Sequence, residues 1–306
     1  FLSFFSNLFP FAIGDLFIFG SITGVIVYPF YARIRKKLPW KRILLRDGEY
    51  LLWVYVWFYL AWGLNYSQPN FYQRTHIPYT AYTPEIFQEF VDNYIDSLNS
   101  SFVPVKGIHE EQVRDEAVKL YNQLSDSLGV HRPPFPNPRV KTMVFTPFIS
   151  MVGVTGSMGP FFCEFTLNGD ILPHDYPATY AHEFAHFLGV ANEGEANFYS
   201  YIVCTVSADK QVRFSGYYHI FFHVLNNVFD ILGEKEGERF LKHIRPEIIQ
   251  LAKSDRHYWL SKRCKALDAA QDFIFELYLR GNHVAEGRKS YSGVVGLILA
   301  WEEKKK

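Results

Sequence analysis

The sequence predicts a mainly α protein in two parts, an N-terminal two-helix membrane anchor followed by an α+β domain with a small sheet. Three observations carry that prediction. Two uncharged apolar runs bracket a cluster of cations near the N-terminus, and apolar residues recur at helical spacing through most of the remainder. Two short stretches rich in β-branched and aromatic residues lie among prolines and glycines. At 306 residues, 48% of them hydrophobic, the chain has material for an anchor over 1–66 and one domain over 67–306.

In chain order, residues 16–32 are apolar or aromatic apart from Ser21, Thr23 and glycines, and Asp15 is the only charge before Arg33. About 20 helical residues cross the roughly 30 Å hydrocarbon core, so this run is long enough to span. Residues 50–64 form a second uncharged run, shorter than an ideal span but extended by Asn65 and Tyr66 at an aromatic boundary. The alternative placements are a buried core pair, or a second run lying along the interface with its tryptophans at headgroup depth. A cleaved signal peptide fits poorly, because the first run lacks a basic start and meets cations and a second apolar run at once.

The loop 33–46 carries Arg33, Arg35, Lys36, Lys37, Lys41, Arg42 and Arg46 with no acid, whereas residues 65–82 hold only Arg74. Cations favour the cytoplasmic face, so the loop is expected inside and the chain from about Ser67 onward outside the cytoplasm. The same cations suit a bilayer with anionic headgroups.

A turn-rich linker runs to Thr83-Pro84, and two amphipathic helices follow. Ile86, Phe87, Phe90, Val91, Tyr94, Ile95 and Leu98 mark the apolar face of the first; Val113, Ala117, Leu120, Tyr121 and Leu124 mark that of the second. After the proline-rich connector 131–138, residues 140–148 and 161–167 read as strands, punctuated by Gly153, Gly156 and Gly159. The second of these strands is placed either to pair with a substrate backbone or merely to cap the helices. Helices are expected over 268–279 and 291–301, with a charged tail behind them.

His182-Glu183-x-x-His186 lies between Pro177, suited to a helix start, and Gly189, suited to a left-handed helix end. Residues four apart share a helix face, so both imidazoles can reach one Zn²⁺. Glu183 lies about 100° round, where it can act as a base without being a ligand. Glu193-Gly-Glu195-Ala-Asn197 then opens a second helix that can run back against the first. Catalytic zinc needs three protein ligands and an open position. Helix phase selects Glu193 as the third ligand over Glu195, which points the other way, and puts Asn197 where it can accept the N–H of a liganding imidazole. His219 and His223 repeat the four-residue spacing without an acid motif, which favours aromatic core packing over a second metal. Any of Tyr217, Tyr218, His219 and His223 remains open as the group that steadies an oxyanion.

Gluzincin zinc peptidases pair His-Glu-x-x-His with a helix bearing Glu-x-x-Ser/Ala-Asp/Asn, and Glu193-Gly-Glu-Ala-Asn197 resembles that element at an unusually short interval of seven positions. With Trp62-Gly-Leu-Asn-Tyr66 upstream and Arg213-Phe-Ser-Gly-Tyr217 downstream, the chain resembles a family of uncharacterised bacterial membrane proteins, domain-of-unknown-function family 3810. The resemblance implies a membrane zinc peptidase with a zincin-like domain, and with the two apolar runs and the cation asymmetry it is expected as a multi-pass protein of a bacterial inner membrane with that domain on the outer side. It brings no known substrate.

The expected activity is hydrolysis of peptide or protein substrates by water, with His182, His186 and Glu193 holding Zn²⁺ and Glu183 as the base. The rivals are a non-catalytic membrane structural or interaction protein with a closed or vestigial zinc site, and a hydrolase of non-peptide envelope amides. With 31 Lys and Arg against 31 Asp and Glu there is no basic field for nucleic acid. Cys163, Cys204 and Cys264 form no C-x-x-C motif and are expected as free thiols.

Overall fold

A computed structural model describes residues 2–79, 81–105, 107–134, 138–264 and 293–304. After a short helix α1 (Leu2–Ser6), α2 (Ile13–Ile34) and α3 (Trp40–Ala61) pack together as a hairpin. Each has 22 residues, about 33 Å at 1.5 Å per residue. Arg35, Lys36 and Lys37 are exposed at the connection between them.

Only α2, among the described residues, is long and apolar enough to cross a membrane, and a signal sequence near an N-terminus passes the same test. Helix α3 starts a decade earlier than the apolar run alone indicates. Pro39 sets its start, Gly48 does not end it, and so it takes in Lys41, Arg42, Arg46, Asp47 and Glu49 before its apolar half. Arg46 donates to the Tyr28 hydroxyl of α2, and the Ser21 and Tyr50 hydroxyls meet at 2.7 Å. Leu44, Leu52, Trp53 and Leu60 on α3, and Ile22, Ile26 and Phe30 on α2, remain exposed.

A 3₁₀ turn (Gly63–Ser67) leads into α4 (Phe71–Thr75), α5 (Pro84–Ser101) and α6 (Glu110–Leu128). Thr83 caps α5, whose seven apolar positions are buried except Ile86; Gly129 ends α6 at φ 64°. The sheet comprises β1 (Val140–Thr142), β2 (Gly156–Gly159) and β3 (Glu164–Leu167) in the order β1-β3-β2, with α7 (Thr146–Ser150) between β1 and β2. β1 runs parallel and β2 antiparallel to β3.

Both expected strands are shorter than their composition indicated. The first stops at Thr142, because Thr146-Pro147 opens the turn of α7. The second starts at Glu164, because Cys163 turns the chain at φ 49°. β2 was read only as glycine punctuation. It makes β3 the central strand, so the stretch 161–167 has no free edge for a substrate.

Then follow α8 (Tyr176–Phe187), α9 (Glu193–Thr205), α10 (Lys210–His219), α11 (Phe221–Asn227), a π turn (Val228–Leu232), α12 (Glu234–His243), α13 (Pro246–Lys262) and α14 (Val294–Glu303). The helix expected over 268–279 lies outside the described residues. α8, α9 and α10 pack on one another, and Tyr121, Tyr180, Phe184, Phe198 and Phe214 are fully buried among them. Trp301 of α14 closes the core against Phe71 and Phe198. The three cysteines are free.

The hairpin is fastened to the sheet by polar groups. Glu164 accepts the N–H groups of Ile13 and Gly14 at the start of α2, and pairs with the buried Lys141, which also donates to the Ser6 carbonyl. A carboxylate there satisfies orphan donors and complements the helix dipole. Trp57 of α3 donates to the Phe161 carbonyl at 2.9 Å, and Phe17 and Phe58 contact the Phe161 ring.

Candidate metal centre

Pro177 lies in the first turn of α8 and Gly189, at φ 100°, follows its end, so the helix spans the His-Glu-x-x-His pattern as expected. Asn192 then caps α9 through the Glu195 N–H. This arrangement brings His182 Nε2, His186 Nε2 and Glu193 Oε2 into one cluster, with separations of 3.1 Å between the histidines and 3.2 and 3.4 Å from them to the glutamate. Four tetrahedral donors about 2.05 Å from Zn²⁺ stand roughly 3.3 Å apart, so the cluster has the dimensions of three donors around one ion.

The donor chemistry fits as well as the spacing. His186 Nδ1–H donates to the Val190 carbonyl at 2.6 Å, which orients the ring with Nε2 towards the cluster. Val190 sits in the turn between α8 and α9. A backbone partner in a turn leaves no residue pattern, whereas helix phase points to Asn197. Asn197 instead accepts from His219 Nε2 at 3.0 Å. One turn beyond Glu193, the facing element is α10, which lies against both α8 and α9.

Electrostatics bind the cluster together. Burial alone would raise Glu193, but His186 and His182 outweigh it and hold the carboxyl well below its ordinary range. Burial would lower His186, yet Glu193 beside it brings the imidazole up to about 9.

Glu183 is buried, and burial pushes its carboxyl upward against the pull of His182, His186 and the Met158 backbone N–H. Its Oε2 is a buried atom with no hydrogen-bond partner among the described residues, as is His182 Nδ1. A buried acceptor left bare ordinarily marks a group awaiting water, ion or ligand. Gly156 of β2 makes the close approach possible, since a Cβ there would lie 2.5 Å from Glu183 Cγ.

Glu195 faces away from the cluster, as its helix phase required. It pairs with Arg74, accepts the Phe71 N–H at 2.8 Å, and leaves Arg74 to reach the Tyr199 hydroxyl. Arg74 was read only as an isolated charge.

Of the four open candidates, Tyr218 gives its hydroxyl to Asp255, and the Tyr217 ring packs with Tyr94 and Tyr201. His219 stands with its ring 5.8 Å from that of His182. Burial and His182 depress His219 to about 3 and His223 to about 4, so both are neutral. His223 makes no side-chain hydrogen bond among the described residues. Neither histidine joins a three-ligand cluster there.

A family model described as a protein of unknown function, DUF3810, matches residues 1–299. The chain belongs to that family. No curated protein and no solved structure matches it. For this DUF3810 member the chemistry therefore has to be argued from the site itself.

Proposed function

We propose that this DUF3810 protein is a membrane-anchored zinc peptidase, with His182, His186 and Glu193 as the metal ligands and Glu183 as the base. The observation that carries the reading is the convergence of three donor atoms at tetrahedral spacing beside a buried carboxylate oxygen that has no partner among the described residues. Zn²⁺ held there would supply a Lewis acid and lower the pKa of water to about 7.

The residues divide the remaining work. Glu183 takes the proton of the attacking water and passes it to the departing amine, and its upward-shifted carboxyl suits it to hold that proton between the two transfers. His223, neutral beside His182 and without a side-chain hydrogen bond among the described residues, would donate to the oxygen that gains charge. Substrate alignment falls to β2. Alternate residues of a strand direct their backbone groups to the same side. Gly156 lies against Glu183 and β2 is paired on one side only, so Gly156 and Met158 offer the free edge on which an extended substrate adds as a strand.

The hairpin α2–α3 would cross the bilayer with its basic tip inside and the domain outside the cytoplasm, in the orientation expected for a bacterial inner membrane. Exposed apolar side chains on both helices, with cations at the end away from the Glu164 and Trp57 fastenings, support this placement.

The deciding measurement is zinc content and peptide hydrolysis for the detergent-purified wild type, His186→Ala and Glu183→Gln. About one zinc is expected in the wild type and Glu183→Gln and none in His186→Ala, with hydrolysis confined to the wild type. Zinc with equal or absent hydrolysis in the wild type and Glu183→Gln would make the site an inert structural one. A wild type without zinc after reconstitution would end the metal reading.

A further inference from the structure

The hairpin α2–α3 has a groove on its side. It encloses about 310 Å³ between Phe17, Ser21 and Val25 of α2 and Leu51 and Val54 of α3, and Phe161 closes its upper end. The lining is apolar in effect, because the Ser21 hydroxyl is held by the Phe17 carbonyl and meets the Tyr50 hydroxyl. An apolar groove at bilayer depth gains nothing by excluding water, so its use is shape, the packing of another apolar segment against it.

What lies at its upper end determines which segment. Phe161 belongs to the turn joining β2 to β3, and that turn is fastened to α3 by the hydrogen bond from Trp57 to the Phe161 carbonyl. Met158, on the edge strand β2 whose Gly156 lies against Glu183, is three residues earlier in the chain. Three residues span at most about 11 Å, so the groove and the free strand edge are neighbours. A chain leaving the groove at Phe161 reaches the edge of β2 within roughly three extended residues.

Resting on the peptidase reading, we infer that the substrates are membrane proteins whose apolar helix lies in the α2–α3 groove while the adjoining extracytoplasmic segment adds to β2. Cleavage then falls about three to five residues beyond the embedded end of that helix. The reaction adds one water across the peptide C–N bond and releases a new carboxyl group and an amine. A freely soluble peptide reaches the same strand edge without the anchoring that raises its effective concentration.

The test uses full-length protein in phospholipid vesicles. The probe is a single-span peptide with a Leu/Ala helix of about 20 residues and a randomised tail. A photo-crosslinker is placed at Val25, in the groove, or at Leu52, which is 60% exposed, in the Glu183→Gln background. Crosslinking to the peptide helix is expected from Val25 and not from Leu52. In the otherwise native protein the anchored peptide should be cut about tenfold faster than its detached tail, a ratio that falls towards one in Val25→Trp and Ile26→Trp.

Crosslinks to lipid alone, or equal crosslinks from both positions, would overturn the inference. So would equal cleavage of the anchored and detached peptides, which would leave the peptidase reading standing. Groove-specific crosslinking with neither peptide cut would instead remove the peptidase reading and leave the groove a binding site.

Discussion

Two clusters in this molecule are built from the same ingredients and reach opposite ends. His182, His186 and Glu193 gather three atoms able to ligate a metal within 3.4 Å of one another. His174, Asp175 and Asp255 also gather within metal-binding distance. In the second, however, His174 Nε2 meets Asp255 at 2.9 Å and the Tyr218 hydroxyl donates to the same carboxylate. Hydrogen-bond donors fill that cluster, and none of its fully buried side-chain atoms lacks a partner among the described residues. In the first, the three facing atoms of His182, His186 and Glu193 meet one another, and beside them Glu183 Oε2 and His182 Nδ1 are buried with no partner among the described residues. Residue types and proximity alone do not separate a candidate metal centre from a polar clip; the partnerless buried atoms beside the first cluster do.

The sharpest way to break this contrast is to remove a histidine from each side. His186→Ala should lose all bound zinc and, with it, hydrolysis by 10²-fold or more, an order typical for loss of the acid–base machinery. His174→Ala should keep its zinc. Elemental analysis showing two zinc ions in the wild type and one in His174→Ala would make both clusters metal centres.

Next in size is the paired test of the two glutamates of α9. Glu193→Ala should lose zinc, whereas Glu195→Ala should retain it and lose about 3 kcal/mol of stability, because Arg74 is left buried without its partner. Urea unfolding beside metal analysis reads both quantities. Zinc lost from Glu195→Ala and kept in Glu193→Ala would exchange their roles.

Gly156→Ala probes the approach of β2 to Glu183. The added methyl must displace the carboxylate, so kcat should fall about tenfold, roughly 1.4 kcal/mol, while zinc stays bound. An unaltered kcat would show that Glu183 does not work from this position.

The smallest effect concerns pH. Burial raises the Asp175 carboxyl to about 6, and His174, lowered by burial but drawn up further by Asp255, sits above its ordinary value. Both native groups hold protons more tightly than in the unfolded chain. The stability from Asp175 is therefore full below about 4 and lost as pH rises through about 6; that from His174 is lost at a higher pH. Asp175→Asn should raise the thermal midpoint at pH 7.5 by the equivalent of about 1 kcal/mol and leave it nearly unchanged at pH 4. An equal gain at both values would assign the effect to packing.

Much of the metal cluster was legible because its logic is local. His182, Glu183 and His186 share one helix, Pro177 and Gly189 mark its ends, and the phase of the next helix separates Glu193 from Glu195. The apolar faces of α5 and α6 followed from period alone. The strand pattern was less legible. β2 is Gly-Ser-Met-Gly, with almost no β-branched or aromatic content, and exists because β3 lies beside it. Its discovery moved the available sheet edge from 161–167 to 156–159.

By itself, then, the chain's order of residues determined the helix of the His-Glu-x-x-His pattern and which of Glu193 and Glu195 meets His182 and His186, because each depends on spacing along one or two helices whose geometry is regular. Tertiary structure alone decided the rest. Asn197 serves His219 instead of a ligand, Arg74 answers Glu195 from a distant turn, and Gly156 admits Glu183. It also decided that Glu164, far along the chain, caps the N-terminus of α2, and that Trp57 holds the turn beside β2. These pairings join elements far apart in sequence. Their selection comes from burial, where every donor and acceptor withdrawn from water must find a partner in whatever element packs against it.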